Sequence, residues 1–152
     1  MVNADIEKMN HWRYPPPYDV YDVTPSAEDV QAMLDPLGDT WFSADDAAYG
    51  DLAGFFEFGH QGRVVEIGLG LRPDLTGRGI GTSFVAAGMA FALSRWKLSA
   101  FAVDVLPWNA RAMRAYEAAG FERGVTYVRR FDDGNEREFV RMSRPSDLSA
   151  PA

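Results

Sequence analysis

Three glycines at alternate positions, Gly77, Gly79 and Gly81, form the segment of this chain best suited to hold a ligand. An apolar run over residues 64–71 precedes them, and a nearly all-apolar run over residues 83–94 follows. A glycine-rich turn that opens a helix leaves backbone N–H groups unpaired, and the helix dipole adds positive potential there. The segment therefore predicts a phosphate-binding turn, with a tight turn that binds nothing as the alternative.

The spacing of these glycines does not match two common nucleotide-binding loops. A Walker loop has a lysine after its last glycine, whereas Gly81 is followed by Thr82. A dinucleotide fingerprint reads Gly-x-Gly-x-x-Gly, whereas this chain has Gly-x-Gly-x-Gly in mid-sequence. The kind of phosphate ligand must therefore be inferred from other residues.

A second segment, residues 101–121, reads as a strand, a turn and a helix. Its characteristic residues are Asn109, Ala112, Tyr116, Gly120 and Phe121. They match the pattern Asn-x-x-Ala-x-x-x-Tyr-x-x-x-Gly-Phe, and the glycine turn lies about 30 residues before them. Together the two segments resemble the pyrophosphate-binding loop and the second signature of the GCN5-related N-acetyltransferase (GNAT) superfamily.

The resemblance implies an α/β (α+β) fold with a mixed, mostly antiparallel central sheet that is splayed in the middle, and with helices on both faces. We expect a single acetyltransferase domain over residues 1–144 and a flexible tail over residues 145–152. The family usually begins with an edge strand, but helix-like sequence starts almost at once here. That edge strand is therefore expected to be absent or short.

Hydrophobic periodicity, turn residues and capping residues predict the individual elements. Helices are expected over residues 4–13, 26–34, 83–94 and 109–119, with Ser26 as an N-cap and Gly120 as a left-handed residue that ends the last helix. Strands are expected over residues 41–44, 52–59, 64–71, 100–106, 126–131 and 137–143, the last two joined by a hairpin at residues 132–135.

Composition narrows the choice of partners. The net charge of −7 argues against a nucleic-acid partner, because such proteins need a basic face, and it is compatible with a cationic amine. The longest apolar run, residues 84–93, is too short to span a membrane, and the first residues lack signal-peptide features. The absence of cysteine excludes disulfides, thiol catalysis and Cys-ligated zinc. We expect a cytoplasmic protein without a metal site.

The activity that the resemblance implies is acetyl transfer from acetyl-CoA to a primary amine, directly within a ternary complex. The acceptor is either a small-molecule amine or a protein N-terminus, and a homodimer is a further expectation. A non-catalytic acyl-CoA-binding or sensor domain is the alternative from another class, and a nucleotide-binding module is a third.

The resemblance also assigns residues to the cofactor. Backbone N–H groups of the turn are expected to bind the pyrophosphate, and the main chain of the preceding strand to pair with the pantetheine arm. Thr76 lies where the family often has Arg or Gln, so its hydroxyl would supply one hydrogen bond and Arg78 the charge. The complete set of expected cofactor-binding residues is Leu69, Gly70, Leu71, Thr76, Gly77, Arg78, Gly79, Ile80, Gly81, Thr82, Asn109, Ala112 and Tyr116.

Three residues are candidates for proton transfer. Tyr116 is the expected acid for the departing thiolate, since a phenol with a pKa near 10 is protonated at neutral pH. Glu66, on the strand that leads to the turn, and Asp104, in the middle of a later strand, compete as the base that deprotonates the amine, with Glu66 preferred. Each could equally be a structural ion-pair partner. A water chain without a dedicated base is the third possibility.

Aromatic side chains near the N-terminus are candidates for acceptor binding. Trp12, Tyr14, Tyr18 and Tyr21 surround a run of three prolines, where the family has its substrate-binding loop. In a proline-stiffened segment they could line a pocket, and they could equally cap the core.

Overall fold

The computed structural model describes residues 1–131 and 133–147. Within them the chain forms four α-helices and six strands: α1 (Asn3–Asn10), α2 (Ala27–Leu34), β1 (Trp41–Asp45), β2 (Leu52–Gln61), β3 (Val64–Leu71), α3 (Gly81–Arg95), β4 (Ala100–Val105), α4 (Ala110–Ala118), β5 (Glu122–Arg130) and β6 (Glu136–Pro145). Two 3-10 turns occur at Tyr18–Tyr21 and Pro73–Leu75. No strand precedes β1 in the described residues, so the edge strand with which the family usually begins is absent there.

The strands follow the order β1-β2-β3-β4-β6-β5. β3 and β4 are parallel, whereas the pairs β1–β2, β4–β6 and β5–β6 are antiparallel. The β3–β4 register covers Val64–Glu66 against residues 100–102. The predicted mixed, mostly antiparallel α+β fold is therefore confirmed.

The chain divides into two compact units. The first comprises residues 1–58 and 69–79, and the second comprises residues 59–68 together with the described residues from Ile80 onward. Strands β2 and β3 each contribute to both units.

An aromatic cluster organises the first unit. The Phe55 ring lies 6.4 Å from that of Trp12 and 5.7 Å from that of Trp41, measured between centroids. Gly70 of β3 lies against the same ring, because a Cβ built there would be only 2.4 Å from Phe55 Cε1. Trp12 also belongs to a buried group with Met9 and Leu52. Gly70 is therefore required by packing.

The second unit has its core around β4, which is almost wholly buried. Phe101 and Val103 are fully buried, as are Val85 and Met89 of α3 and Met142 of β6, to within a few per cent. Alternate residues of β4 and one face of α3 thus supply the apolar contacts that stabilise this unit.

Two predicted boundaries differ from the structure at the C-terminal hairpin. β5 begins four residues earlier than predicted, because a register shift between Arg123 and Thr126 lets the strand continue through Gly124. β6 extends to Pro145, which pairs with Ala100, so the strand runs into the segment predicted as a tail. Asp132 of the predicted turn and residues 148–152 lie outside the described residues.

Replacing Gly70 with alanine tests the packing role of this glycine. We expect Gly70→Ala to lower the free energy of unfolding by about 1–3 kcal/mol, because the new methyl group would displace the Phe55 ring. Gly59→Ala on β2 is a matched control, since its Cβ would lie 3.9 Å from the nearest atoms. Urea unfolding of both variants measures the difference, and equal stabilities would contradict this account.

Candidate active site

The turn before α3 exposes a row of backbone donors. Gly77 and Gly79 have positive φ angles of 71° and 77°, and a Cβ at either position would meet nothing within 4 Å. Ile80 occupies the N-cap of α3 without a side-chain hydrogen bond. Within the described residues, no N–H from Gly77 to Ser83 donates a hydrogen bond. The turn therefore offers unpaired donors at a helix start, as an anion requires.

The third glycine of the motif has a different task. A Cβ on Gly81 would lie 3.4 Å from Ala115 Cβ of α4, so the small residue permits close contact between α3 and α4. The motif thus combines two residues needed for backbone conformation with one needed for helix packing. Arg78 is exposed between them.

Hydrogen bonds of Arg72 and Thr76 stabilise the segment between the end of β3 and the glycine turn. Arg72 donates from Nη1 to the carbonyl of Leu52 at 2.9 Å, and its Nε and Nη2 bind the carboxylate of Asp74 at 2.6 and 3.2 Å. Thr76 donates its hydroxyl proton to the carbonyl of Pro73 at 2.7 Å. The expectation that this hydroxyl donates to a ligand is therefore not met in this conformation.

Asn109 has a structural role at the start of α4. It is 6% exposed, and its Oδ1 accepts a hydrogen bond from the backbone N–H of Ala112 at 3.1 Å. Asn109 is thus the N-cap of α4 and fixes where the helix begins.

The other end of α4 is closed by a Schellman motif. Gly120 has a φ angle of 92° and donates to the carbonyl of Glu117, while Phe121 donates to the carbonyl of Tyr116, both at 3.0 Å. The rings of Tyr116 and Phe121 meet edge to face at 5.8 Å. The spacing of this signature therefore holds the buried Tyr116 ring in place at the last turn of the helix.

The two carboxylates proposed as bases belong to one cluster in the second unit. We define the arginine–carboxylate cluster as Glu66, Asp104, Tyr127, Arg129 and Arg141. Asp104, whose side chain is 6% exposed, accepts hydrogen bonds from Arg141 Nε at 2.9 Å, Arg129 Nη2 at 2.7 Å and the Tyr127 hydroxyl. Both oxygens of this carboxylate therefore accept hydrogen bonds.

These contacts decide the charge state of Asp104. Burial alone would raise the pKa of this carboxyl, but hydrogen bonds from Arg141 and Tyr127 and the charges of both arginines outweigh burial and hold the pKa below its usual range. An amine-deprotonating base needs a raised pKa. Asp104 is therefore unsuited to the role that the sequence suggested for it.

Glu66 is held in a similar way. Its Oε1 lies 3.1 Å from Arg129 Nη2, and its Oε2 lies 2.8 Å from Arg141 Nη2. Each carboxylate oxygen thus faces a guanidinium. Two carboxylates and two guanidiniums balance, so the cluster has no net charge at neutral pH.

Sequence reasoning did not single out Tyr127, Arg129 and Arg141. Tyr127 and Arg129 are two residues apart on β5 and so share one face of the sheet. Arg141 lies directly opposite Asp104 in the β4–β6 register. The shared face of Tyr127 and Arg129 could be found from the sequence. The position of Arg141 opposite Asp104 depends on a register that only the folded hairpin defines.

The N-terminal aromatic residues divide into two groups. Trp12 and Tyr14 are 7% and 8% exposed, and the Tyr14 hydroxyl donates to the carbonyl of Leu71 at 2.6 Å. Burial therefore accounts for both without a ligand, as the core-capping alternative predicted. Tyr18 is half-buried and Tyr21 is exposed on the 3-10 turn.

Comparison with known proteins identifies the class of enzyme. The family model described as "Acetyltransferase (GNAT) family" matches residues 6–121, and the chain belongs to this family. It is an N-acetyltransferase, which confirms the resemblance drawn from its two motifs. Nothing in these comparisons supports a non-catalytic protein.

Solved structures share the fold at low sequence identity. A chimera of spermidine N-acetyltransferase SpeG from Vibrio cholerae and hSSAT is 17% identical, with a TM-score of 0.77 over 96% of this chain and 92% of that one. A GNAT-family acetyltransferase from Bacillus anthracis is 17% identical, with a TM-score of 0.76 over 97% and 92%. Aminoglycoside acetyltransferase AAC(6')-Ib in complex with coenzyme A is 23% identical, with a TM-score of 0.71 over 95% and 91%.

A search of curated proteins gave no match. Among the residues that the structure describes, no helix is both long and apolar enough to cross a membrane.

Replacing Asp104 with asparagine tests the stabilising role of its charge. The pKa of Asp104 is lower in the folded than in the unfolded chain, so ionisation stabilises the fold above about pH 3.9, and this contribution is lost as the pH falls through the folded value. We expect Asp104→Asn to lower the free energy of unfolding by about 3 kcal/mol at pH 7. The difference from wild type should narrow toward pH 3 in urea unfolding.

An exposed ion pair provides the control for that measurement. Glu117 binds Arg123 at 2.6 Å, with side chains 42% and 55% exposed. Glu117→Gln should cost less than about 1 kcal/mol at pH 7. A destabilisation by Asp104→Asn that stays constant from pH 7 to pH 3 would show that its charge is not the stabilising feature.

Proposed function

We propose that this enzyme transfers an acetyl group from acetyl-CoA to a primary amine directly, within a ternary complex. The observation that carries the proposal is the row of unpaired N–H groups from Gly77 to Ser83, in a chain that belongs to an acetyltransferase family. We further propose that residues 1–144 act as one acetyltransferase domain in the cytoplasm, and that the enzyme forms a homodimer.

The turn before α3 suits the pyrophosphate of coenzyme A. The absence of Cβ atoms at Gly77 and Gly79 leaves space for close approach to the backbone, and α3 adds its dipole. Arg78 is exposed and would add positive charge. Because the Thr76 hydroxyl donates to Pro73, the backbone of residues 77–82 would carry the recognition.

Other residues would hold the rest of the cofactor. The main chain of Leu69, Gly70 and Leu71 would pair with the amides of the pantetheine arm as an added strand does. Asn109, Ala112 and Tyr116 of the second signature would contact the cofactor from α4. When bound, acetyl-CoA supplies an activated thioester, whose acyl group passes to the amine and whose sulfur leaves as a thiolate.

Tyr116 is the proposed acid. Its phenol would donate a proton to the departing sulfur, since a phenol with a pKa near 10 is protonated at neutral pH and a thiol has a pKa of about 8.5. The Schellman motif and the contact with Phe121 keep the ring from turning freely. A positioned acid avoids the entropic cost of recruiting one from solvent.

For the amine proton we propose a water chain. Asp104 has a lowered pKa, and both oxygens of Glu66 face arginines, so neither carboxylate has the properties of a general base. This choice revises the preference for Glu66 that the sequence suggested. The water chain would carry the proton from the ammonium group to bulk solvent, which leaves the neutral amine to react.

Tyr18 and Tyr21 are the proposed acceptor-contacting residues of the N-terminal segment. Trp12 and Tyr14 would support them from the core of the first unit. We propose a small-molecule amine as the acceptor. Similar structures include enzymes named for spermidine and for aminoglycosides, both of which are amines, beside one named for a ribosomal-protein alanine.

Binding of acetyl-CoA tests the proposed cofactor site. Acetyl-CoA at 100 times its dissociation constant should stabilise the protein by about 2.7 kcal/mol, measured as an increase in Tm that ATP does not produce. Gly79→Ala should abolish the increase, because an L-residue does not readily adopt a φ angle of 77° and the turn would change shape.

Gly134→Ala is the matched control, since Gly134 has a φ angle of 82° and equal space for a Cβ. It should lower Tm to a similar extent and leave the acetyl-CoA shift unchanged. An unaltered shift in Gly79→Ala, or no shift in the wild type, would refute the proposed cofactor site.

Removing the phenol hydroxyl tests the proposed acid. We expect Tyr116→Phe to reduce kcat by about 100-fold or more while the Kd for acetyl-CoA changes less than about twofold. Tyr49→Phe alters a side chain that is 87% exposed and should have no effect. Steady-state kinetics and calorimetry separate the two quantities, and an unchanged kcat in Tyr116→Phe would exclude the acid role.

A further inference from the structure

An open groove of about 390 Å³ lies within the second unit. It is lined by Gln61 together with four members of the arginine–carboxylate cluster, Glu66, Tyr127, Arg129 and Arg141. Their side chains come from β2, β3, β5 and β6, so the walls of the groove rest on strands. A rigid frame of this kind suits a binding site.

The two arginines use only part of their hydrogen-bonding capacity within the protein. Arg129 donates to Glu66, Asp104 and Tyr127 through Nη2 alone. Arg141 reaches its partners through Nε and Nη2. Within the described residues, Nη1 of each arginine and Nε of Arg129 have no hydrogen-bond partner.

These unused donors remain accessible. The side chains of Arg129 and Arg141 are 39% and 28% exposed. A guanidinium presents its N–H groups in a planar fork that matches a carboxylate, and hydrogen bonds between two charged groups are the strong ones. The ion pairs with Glu66 and Asp104 hold the guanidinium groups of Arg129 and Arg141 in place without a ligand.

The same contacts make the groove unfavourable for a cation. Each oxygen of Glu66 already faces a guanidinium, so an ammonium group would find no unpaired carboxylate here. The overall charge of −7 therefore does not describe this groove.

We propose that the groove binds a carboxylate of the acceptor, and that the acceptor is a small primary amine that also carries a carboxylate, such as an amino acid. Arg129 and Arg141 are the specificity-determining residues, with Nη1 of each as the donor. This inference rests on the proposed function, because it identifies the class of amine that the enzyme acetylates.

Matched pairs of amines test the proposal with the full-length enzyme. Free amino acids and their C-terminal amides are compared by following release of the free thiol from acetyl-CoA. We expect kcat/KM for at least one acid to exceed that for its amide by tenfold or more. Glycine, β-alanine and the larger amino acids form the panel, each beside its amide.

Substitution of Arg129 assigns the preference to the groove. Arg129→Gln should reduce the ratio of kcat/KM for the acid to kcat/KM for the amide about tenfold. Arg129→Lys, which keeps the charge and the ion pairs but lacks the fork, should show the same loss if Tm stays near that of wild type. Arg137→Gln removes an equal charge from an exposed residue of β6 that pairs with Arg129 in the sheet. This variant should keep the preference for the acid over the amide.

The outcomes separate this proposal from the proposed function. If acetyl-CoA raises Tm but no acid in the panel exceeds its amide, the carboxylate site is overturned and the cofactor site stands. Loss of acid preference in Arg137→Gln to the same extent as in Arg129→Gln would also overturn it, because bulk charge would then explain the effect. Absence of the acetyl-CoA shift itself would refute the proposed function first.

Discussion

The buried carboxylate of Asp104 is the constraint on which the second unit depends. Burial of an unpaired charge costs several kcal/mol, so the chain must bring donors to it. Arg141 approaches from the neighbouring strand, directly opposite in the register, and Arg129 and Tyr127 approach from the strand beyond. One carboxylate thereby links β4, β6 and β5. A shift of the hairpin by one residue would turn these side chains to the other face and leave the charge without partners.

The second signature of the family has a direct physical explanation in α4. Its asparagine begins the helix as an N-cap, and its glycine ends the helix with a left-handed residue. The final phenylalanine closes the Schellman motif and packs on Tyr116. Three of the signature residues therefore determine where the helix begins and ends, and hence where the tyrosine lies. In this protein the signature residues thus fix the position of the Tyr116 side chain.

The elements of this fold could be predicted because each has a local signal. Apolar periodicity and capping residues such as Ser26 define the helices, and alternation and turns define the strands. β5 begins four residues before the predicted start, because the structure continues the strand through a register shift between Arg123 and Thr126. The surroundings of Asp104 could not be predicted, because they depend on strands 25 and 37 residues away in sequence. Of the two alternatives that the sequence left open for this mid-strand carboxylate, a base and a structural ion pair, its environment favours the ion pair.

The ion pairs of Glu66 and Asp104 limit which groups can contribute to the rate enhancement. Protonation of a carboxylate that two guanidiniums hold is unfavourable, because it would break the contacts that stabilise the fold. In the proposed mechanism, solvent takes the amine proton, and the rate enhancement comes from holding the two reactants in contact and from Tyr116 as the proposed acid. On this account Glu66 and Asp104 act by keeping Arg129 and Arg141 in fixed positions. The proposed role of these two carboxylates is therefore in recognition of the acceptor. The proposed proton donor, Tyr116, lies on α4.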